Sequence, residues 1–157
     1  LTKMLTNTYY HNFVTHLLEA AFQREVYKLI DNGEGFDGDR LCEIKKAVLK
    51  KFWGDAVEID DDAALTWMRQ SHYYMGLYPY TYSASLTIST QAYLKIKEQG
   101  QPAVDAWLKF LKFDNCPAPI EAAKIAGVDI TTDEPLKNTI KFLDETVDKI
   151  AELTKEL

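Results

Sequence analysis

The stretch Gln70-Ser-His-Tyr-Tyr-Met-Gly-Leu-Tyr-Pro-Tyr-Thr-Tyr-Ser-Ala-Ser-Leu-Thr-Ile-Ser-Thr-Gln-Ala-Tyr-Leu94 contains no Asp, Glu, Lys or Arg, in a chain that is 27% charged. Its reading decides the fold. Tyr78, Tyr80, Tyr82, Ala84, Leu86 and Ile88 alternate as a strand does, and Thr and Ile favour sheets. A strand needs a partner, because a lone one leaves its backbone polar groups unsatisfied. The sequence offers no second candidate. The stretch is therefore expected to be a buried helix, polar only through its hydroxyls, and the chain to be all-α.

Working outward from it, the helical period continues on both sides. Leu5, Tyr9, Phe13, Leu17, Ala20, Ala21, Leu29 and Ile30 recur at helical spacing until Asp31-Asn-Gly-Glu-Gly35, where glycines supply a helix end. Asp37 or Asp39 is expected to cap a second helix whose buried stripe is Leu41, Ile44, Val48 and Phe52. Asp60-Asp-Asp62 caps a short one ending near Gln70. On the other side, Gln101-Pro102 opens a helix with proline in its first turn and Trp107, Leu108 and Leu111 on its apolar face. Ile120 to Ala126 forms a short helix ended by Gly127. Leu136, Ile140, Leu143, Val147, Ile150, Leu153 and Leu157 mark a long amphipathic helix capped by Thr132 or Asp133. No repeat or long linker divides the 157 residues, so residues 1–157 are read as one multi-helix domain.

Composition excludes several classes. The net charge of −6 argues against a nucleic-acid surface, which needs a concentrated basic face. No apolar run has the length of a membrane span. Two cysteines, Cys42 and Cys116, are too few for a disulfide framework, which points to a reducing, cytoplasmic setting and to inert thiols. Residue 1 is Leu and the first Met is Met4, so the chain begins inside an amphipathic pattern, as if cut from something longer.

Three histidines, His11, His16 and His72, leave little room for a site with several imidazole ligands. His11 and His16 are five apart rather than four, and Asn12 stands where the zinc-peptidase motif H-E-x-x-H needs Glu. They read as ordinary helix histidines, and no metal ligand is assigned. The Asp31–Asp39 stretch fails as a calcium loop, since Leu41, or Gly33 and Gly35, fall at ligand positions. Glu58 with Asp60, Asp61 and Asp62 reads as a solvated turn. Ser71 to Tyr82 differs, holding His72 and five of the nine tyrosines. Each buried phenol demands a hydrogen-bond partner, so this is a costly way to fill a core. Lining a cleft, the same groups become neutral donors for a developing oxyanion.

Trp67-Met-Arg-Gln-Ser-His-Tyr-Tyr-Met-Gly-Leu-Tyr-Pro-Tyr-Thr-Tyr82 resembles the segment of oligoendopeptidase F that carries Trp-x-Arg, a His and then Tyr-x-Tyr-x-Tyr. Glu34-Gly-Phe-Asp-Gly-Asp-Arg-Leu41, Gly100-Gln-Pro-Ala-Val-Asp-Ala-Trp107 and Pro119-Ile-Glu-Ala-Ala-Lys-Ile-Ala-Gly-Val-Asp129 resemble further pieces of that family, so the likeness spans essentially the whole chain. The resemblance implies the C-terminal portion of a larger helical metallopeptidase catalytic domain that hydrolyses short peptides. The family's zinc ligands lie in the missing N-terminal, zinc-binding portion, so zinc belongs to the parent enzyme and no cofactor to this chain. By resemblance His72 and Tyr82 are catalytic, stabilising the oxyanion, and Tyr78, Tyr80 and Tyr74 are substrate-binding. Two departures stand out: Ser83-Ala-Ser85 replaces the usual Ala-Thr-Gly, and Gln70-Ser71 the usual Ile-Pro. The chain alone is expected to be inactive and to expose an apolar face where its neighbour is missing. The rival expectation is a free-standing helical module that binds peptide, or serves as structure, without catalysis.

Overall fold

The first long segment ends where a glycine lets it end. Gly33 adopts φ +70°, its N–H donates to the Ile30 carbonyl, and that of Glu34 donates to Leu29 at 2.8 Å. The bond pattern closes the last turn with a residue in the left-handed region. The structure, a computed structural model, describes residues 1–113 and 117–155. The readings of Cys116 and Leu157 fall outside the described residues. Among the described residues the chain is helical and no strand forms. In order come a π-helix Met4–Thr15, α1 His16–Asp31, α2 Gly38–Trp53, 3-10 turns Asp62–Met68 and Ser71–Tyr74, α3 Tyr80–Gln99, α4 Gln101–Leu111, α5 Pro119–Ile125 and α6 Glu134–Thr154. No helix is long and apolar enough to cross a membrane, among the described residues.

The contacts group the chain into two compact units. One, Tyr10–Ser83, packs α1 on α2, α2 on the Asp62–Met68 turn, and α1 on the Ser71–Tyr74 turn. Asp37 caps α2 as expected, accepting from the Arg40 N–H at 3.0 Å, and Asp60 accepts from the Ala63 N–H at 2.8 Å. Phe13, Leu18, Phe22, Ile44 and Ala64 are buried here, but so are His16, Glu19, Gln23 and Lys45. Phe52, expected in the buried stripe of α2, is 45% exposed.

The other unit is Leu1–Tyr9 with Ala84–Leu157. Buried Tyr9 shares a 2.7 Å hydrogen bond with Thr90, and its ring packs on Phe142. The Gln91 amide donates to the Pro135 carbonyl and to the Thr139 hydroxyl, tying α3 to α6. Gly127, at φ +77°, ends the α5 turn, and the Val128 N–H donates to Ala123. On α6 the fully packed positions are Pro135, Thr139 and Thr146, whereas Ile140 and Val147 of the expected stripe are exposed.

The deciding stretch is helical over its second half only. Gly76 takes φ +65°, and Pro79, which has no N–H to give a preceding turn, is fully buried before α3 begins at Tyr80. The single helix expected over 70–94 is therefore a 3-10 turn, a bend and then α3. The hydroxyl reading of its buried face does hold within α3, where Ser83, Thr87 and Thr90 are buried. Thr90 donates to the Leu86 carbonyl, and Ser83 to that of Phe13 at 2.9 Å.

Candidate functional site

The site begins with a helix register. His11 and His16, five residues apart, would diverge on an α-helix. The segment through Thr15 is π-helical, with backbone bonds reaching five residues on, and the two rings lie 5.4 Å apart. His16 then opens α1 and is 2% exposed, and Glu19, one turn on, is fully buried. His16 Nδ1 and Glu19 Oε2 are 2.6 Å apart. This pairing gives His16 a buried partner that the sequence reading did not assign. A buried carboxylate needs such a partner, because its desolvation is otherwise unopposed.

The His16 ring is the base on which the tyrosines assemble. Tyr82, in the first turn of α3, stacks on it at 4.0 Å with an interplanar angle of 23°. His72, from the Ser71–Tyr74 turn, lies 5.1 Å from His16, and its Nε2 is 3.3 Å from the Tyr82 hydroxyl. Tyr78, from the bend before α3, lies nearly parallel to His72, and its hydroxyl is 3.1 Å from that of Tyr82. On a helix Tyr78 and Tyr82, four residues apart, share a face. They do meet, although Tyr78 precedes the helix.

Of the residues picked out in the sequence, His72, Tyr78 and Tyr82 thus come together. Among the described residues, neither Tyr74 nor Tyr80 has a ring contact or hydrogen bond with them. Tyr74, 67% exposed, donates its hydroxyl to the Trp67 carbonyl, and Tyr80 is half exposed.

Charge is arranged behind this cluster. Hydrogen bonding with Tyr78 holds the Tyr82 phenol above the usual tyrosine range, helped by desolvation and by electrostatic repulsion from Tyr78 and Glu19. Tyr82 therefore keeps its O–H. Lys45 of α2, 4% exposed, donates to the Tyr73 hydroxyl and lies over the Phe22 and Tyr73 rings. Burial brings its ammonium down to about 8, against the pull of Glu19. Burial first, and then the Glu19 charge, pushes the Tyr73 phenol up. His72 Nδ1 and Glu19 Oε1 are buried and have no hydrogen-bond partner among the described residues.

One side chain organises the turn itself. Gln23 of α1, 4% exposed, donates its amide to the carbonyl of Gly76 at 2.6 Å, of Tyr73 at 3.1 Å and of His72 at 3.5 Å. Neither Gln23 nor the His16–Glu19 pair was legible as a site residue. The signals present were the five-residue histidine spacing and the His16–Glu19 spacing of three, and both depend on a register that the pattern does not reveal. Among the described residues no group of three or more His, Cys, Asp or Glu side chains gathers to hold a metal ion. The described residues therefore do not fit the zinc that the resemblance implies.

No family model matches the chain. Individual relatives do. An oligopeptidase PepF of Bacillus subtilis is 32% identical over 134 residues, which are 85% of this chain and 20% of that protein. An oligoendopeptidase F homolog of Borreliella burgdorferi is 28% identical over 141 residues, 90% of this chain and 24% of the relative. A crystal structure of oligoendopeptidase-F from Enterococcus faecium superimposes with a TM-score of 0.84 at 24% identity, covering 91% of this chain and 27% of that one, which shows a shared fold. The chain spans about a fifth to a quarter of the length of the relatives it matches. Over nearly all of its residues, it is homologous to one segment of the oligoendopeptidase F proteins.

Proposed function

We propose that the chain is the part of a short-peptide hydrolase that holds the substrate and stabilises the charge developing on the carbonyl oxygen being attacked. Tyr82 and His72 supply neutral hydrogen-bond donors to that oxygen, Tyr78 orients Tyr82, and Tyr80 and Tyr74 contact the peptide beyond it. The metal of the reaction, a zinc ion, is held by residues of the longer protein outside this chain. The observation that supports this reading is the clustering of His72, Tyr78 and Tyr82 with polar atoms 3.1 and 3.3 Å apart. Three polar groups that hold one another in place are preorganised, so little rearrangement is needed when charge develops.

The test is made in the longer protein. Tyr82→Phe or His72→Ala is expected to lower kcat by on the order of 10² to 10³ with bound zinc unchanged, as loss of an oxyanion donor does. Unchanged turnover in both variants overturns the assigned roles. The chain on its own is expected neither to bind stoichiometric zinc nor to cleave peptides, and either result to the contrary overturns that division of labour.

A further inference from the structure

Within the Tyr10–Ser83 unit lies a cavity of about 430 Å³ whose lining does not include His72, Tyr78 or Tyr82, walled by α1, α2, the loop that follows α2 and the two 3-10 turns. Its volume falls in the range of sites for small organic molecules. Two of its walls are oppositely charged and almost wholly buried: Glu19 at 0% and Lys45 at 4% exposure. They do not satisfy each other. Glu19 spends Oε2 on His16 and leaves Oε1 without a partner. Lys45 has one hydrogen bond, to the Tyr73 hydroxyl, and no ion pair among the described residues. Tyr10 and Trp53, whose rings are 6.2 Å apart, and Tyr73 give the same cavity aromatic walls.

We propose that this cavity binds a free α-amino acid with an aromatic side chain, its ammonium on Glu19 Oε1, its carboxylate on Lys45 and its ring among Tyr10, Trp53 and Tyr73. The choice follows from the buried pair of charges, since Glu58, Asp60 and Arg69, which also line the cavity, are exposed to water. A ligand carrying only positive charge leaves Lys45 without a counter-charge, and one carrying only negative charge leaves Glu19 Oε1 without a donor. A buried charge left alone is strongly unfavourable. A zwitterion matches both, and one with an aromatic ring also covers the apolar wall. The inference does not rest on the peptidase reading, since none of these contacts involves His72, Tyr78 or Tyr82.

The experiment uses the whole isotope-labelled chain and three probes that share one ring: L-phenylalanine, phenethylamine and phenylpropanoate. Phenylalanine is expected to shift the Trp53 indole and the Tyr10 and Tyr73 resonances saturably. Each singly charged analogue is expected to bind at least about tenfold more weakly, the scale of one charge-assisted hydrogen bond. Glu19→Gln is then expected to weaken phenylalanine and leave phenylpropanoate no weaker. Lys45→Met is expected to weaken phenylalanine and leave phenethylamine no weaker. The analogue series on the unaltered chain stands even if a variant fails to fold. The proposal is overturned by any of three results: no saturable shift with phenylalanine, shifts that map away from the cavity, or analogues that bind as tightly as the amino acid.

Discussion

At the scale of single residues, Gln23 and Lys45 are buried polar groups beside the candidate site, and neither is conspicuous in the sequence. Gln23 offers its amide to three backbone carbonyls. Gln23→Glu keeps the shape and replaces the donors with acceptors, turning attraction into repulsion in a buried place. A loss of about 2 to 3 kcal/mol is expected by urea unfolding, whereas a change under about 0.5 kcal/mol denies the side chain that role. Lys45 has the opposite character, a charge held where it is disfavoured. Its folded value of about 8 lies below the ordinary lysine value of 10.5, so between those two pH values the unfolded chain binds more protons. Stability should therefore rise as pH increases from about 8. Above about 10 the trend reverses, because buried Tyr73, raised above its ordinary value, resists ionisation that the unfolded chain accepts. The Lys45 contribution is at most about 3 kcal/mol. Unfolding midpoints measured across pH 7 to 10 should show the rise, and Lys45→Met should flatten it.

At the scale of elements, what the sequence makes legible is what local chemistry decides alone. Asp37 as a cap, Gly33 and Gly127 as helix ends and Pro102 in a first turn were each readable, because the residue and its backbone need are adjacent. The deciding stretch was harder. Its composition announced chemistry, but its division at Gly76 and Pro79 depends on the buried seat that Pro79 finds in the fold. The π-helix was harder still, because its apolar positions satisfy an α reading equally well. For that reason the clustering of His72, Tyr78 and Tyr82, which share one stretch, was within reach of the sequence, while the His16–Glu19 pair packed against them was not. Gly76 gives a test at this scale. With φ at +65° and open space around it, Gly76→Ala is expected to cost about 1 kcal/mol through backbone conformation alone. The unfolding free energy checks this, and a neutral substitution denies the strained geometry.

At the scale of the whole molecule, the chain combines a match to one part of longer proteins with large side chains exposed to water. The chain matches about a fifth to a quarter of those proteins. Ile140 and Val147 on α6, and Tyr74 and Tyr80 beside the cluster, leave large apolar or aromatic surface in water. The resemblance of Trp67 to Tyr82 to the family motif was legible because that stretch stays together in sequence. The tie from Gln23 to Gly76 crosses 53 residues and announces itself nowhere.

That tie has a further consequence. Residues 73–79 receive their order from a remote amide and a buried proline more than from a ladder of their own, so this bend is able to open while α1 and α2 stay closed. Hydrogen exchange should show its amides opening at a lower free energy than those of the two helices, as a separate cooperative unit. Exchange at one common rate across all three would deny it. The firmness of the tyrosine cluster and the durability of the fold are then separate quantities, and a substitution can loosen one without touching the other.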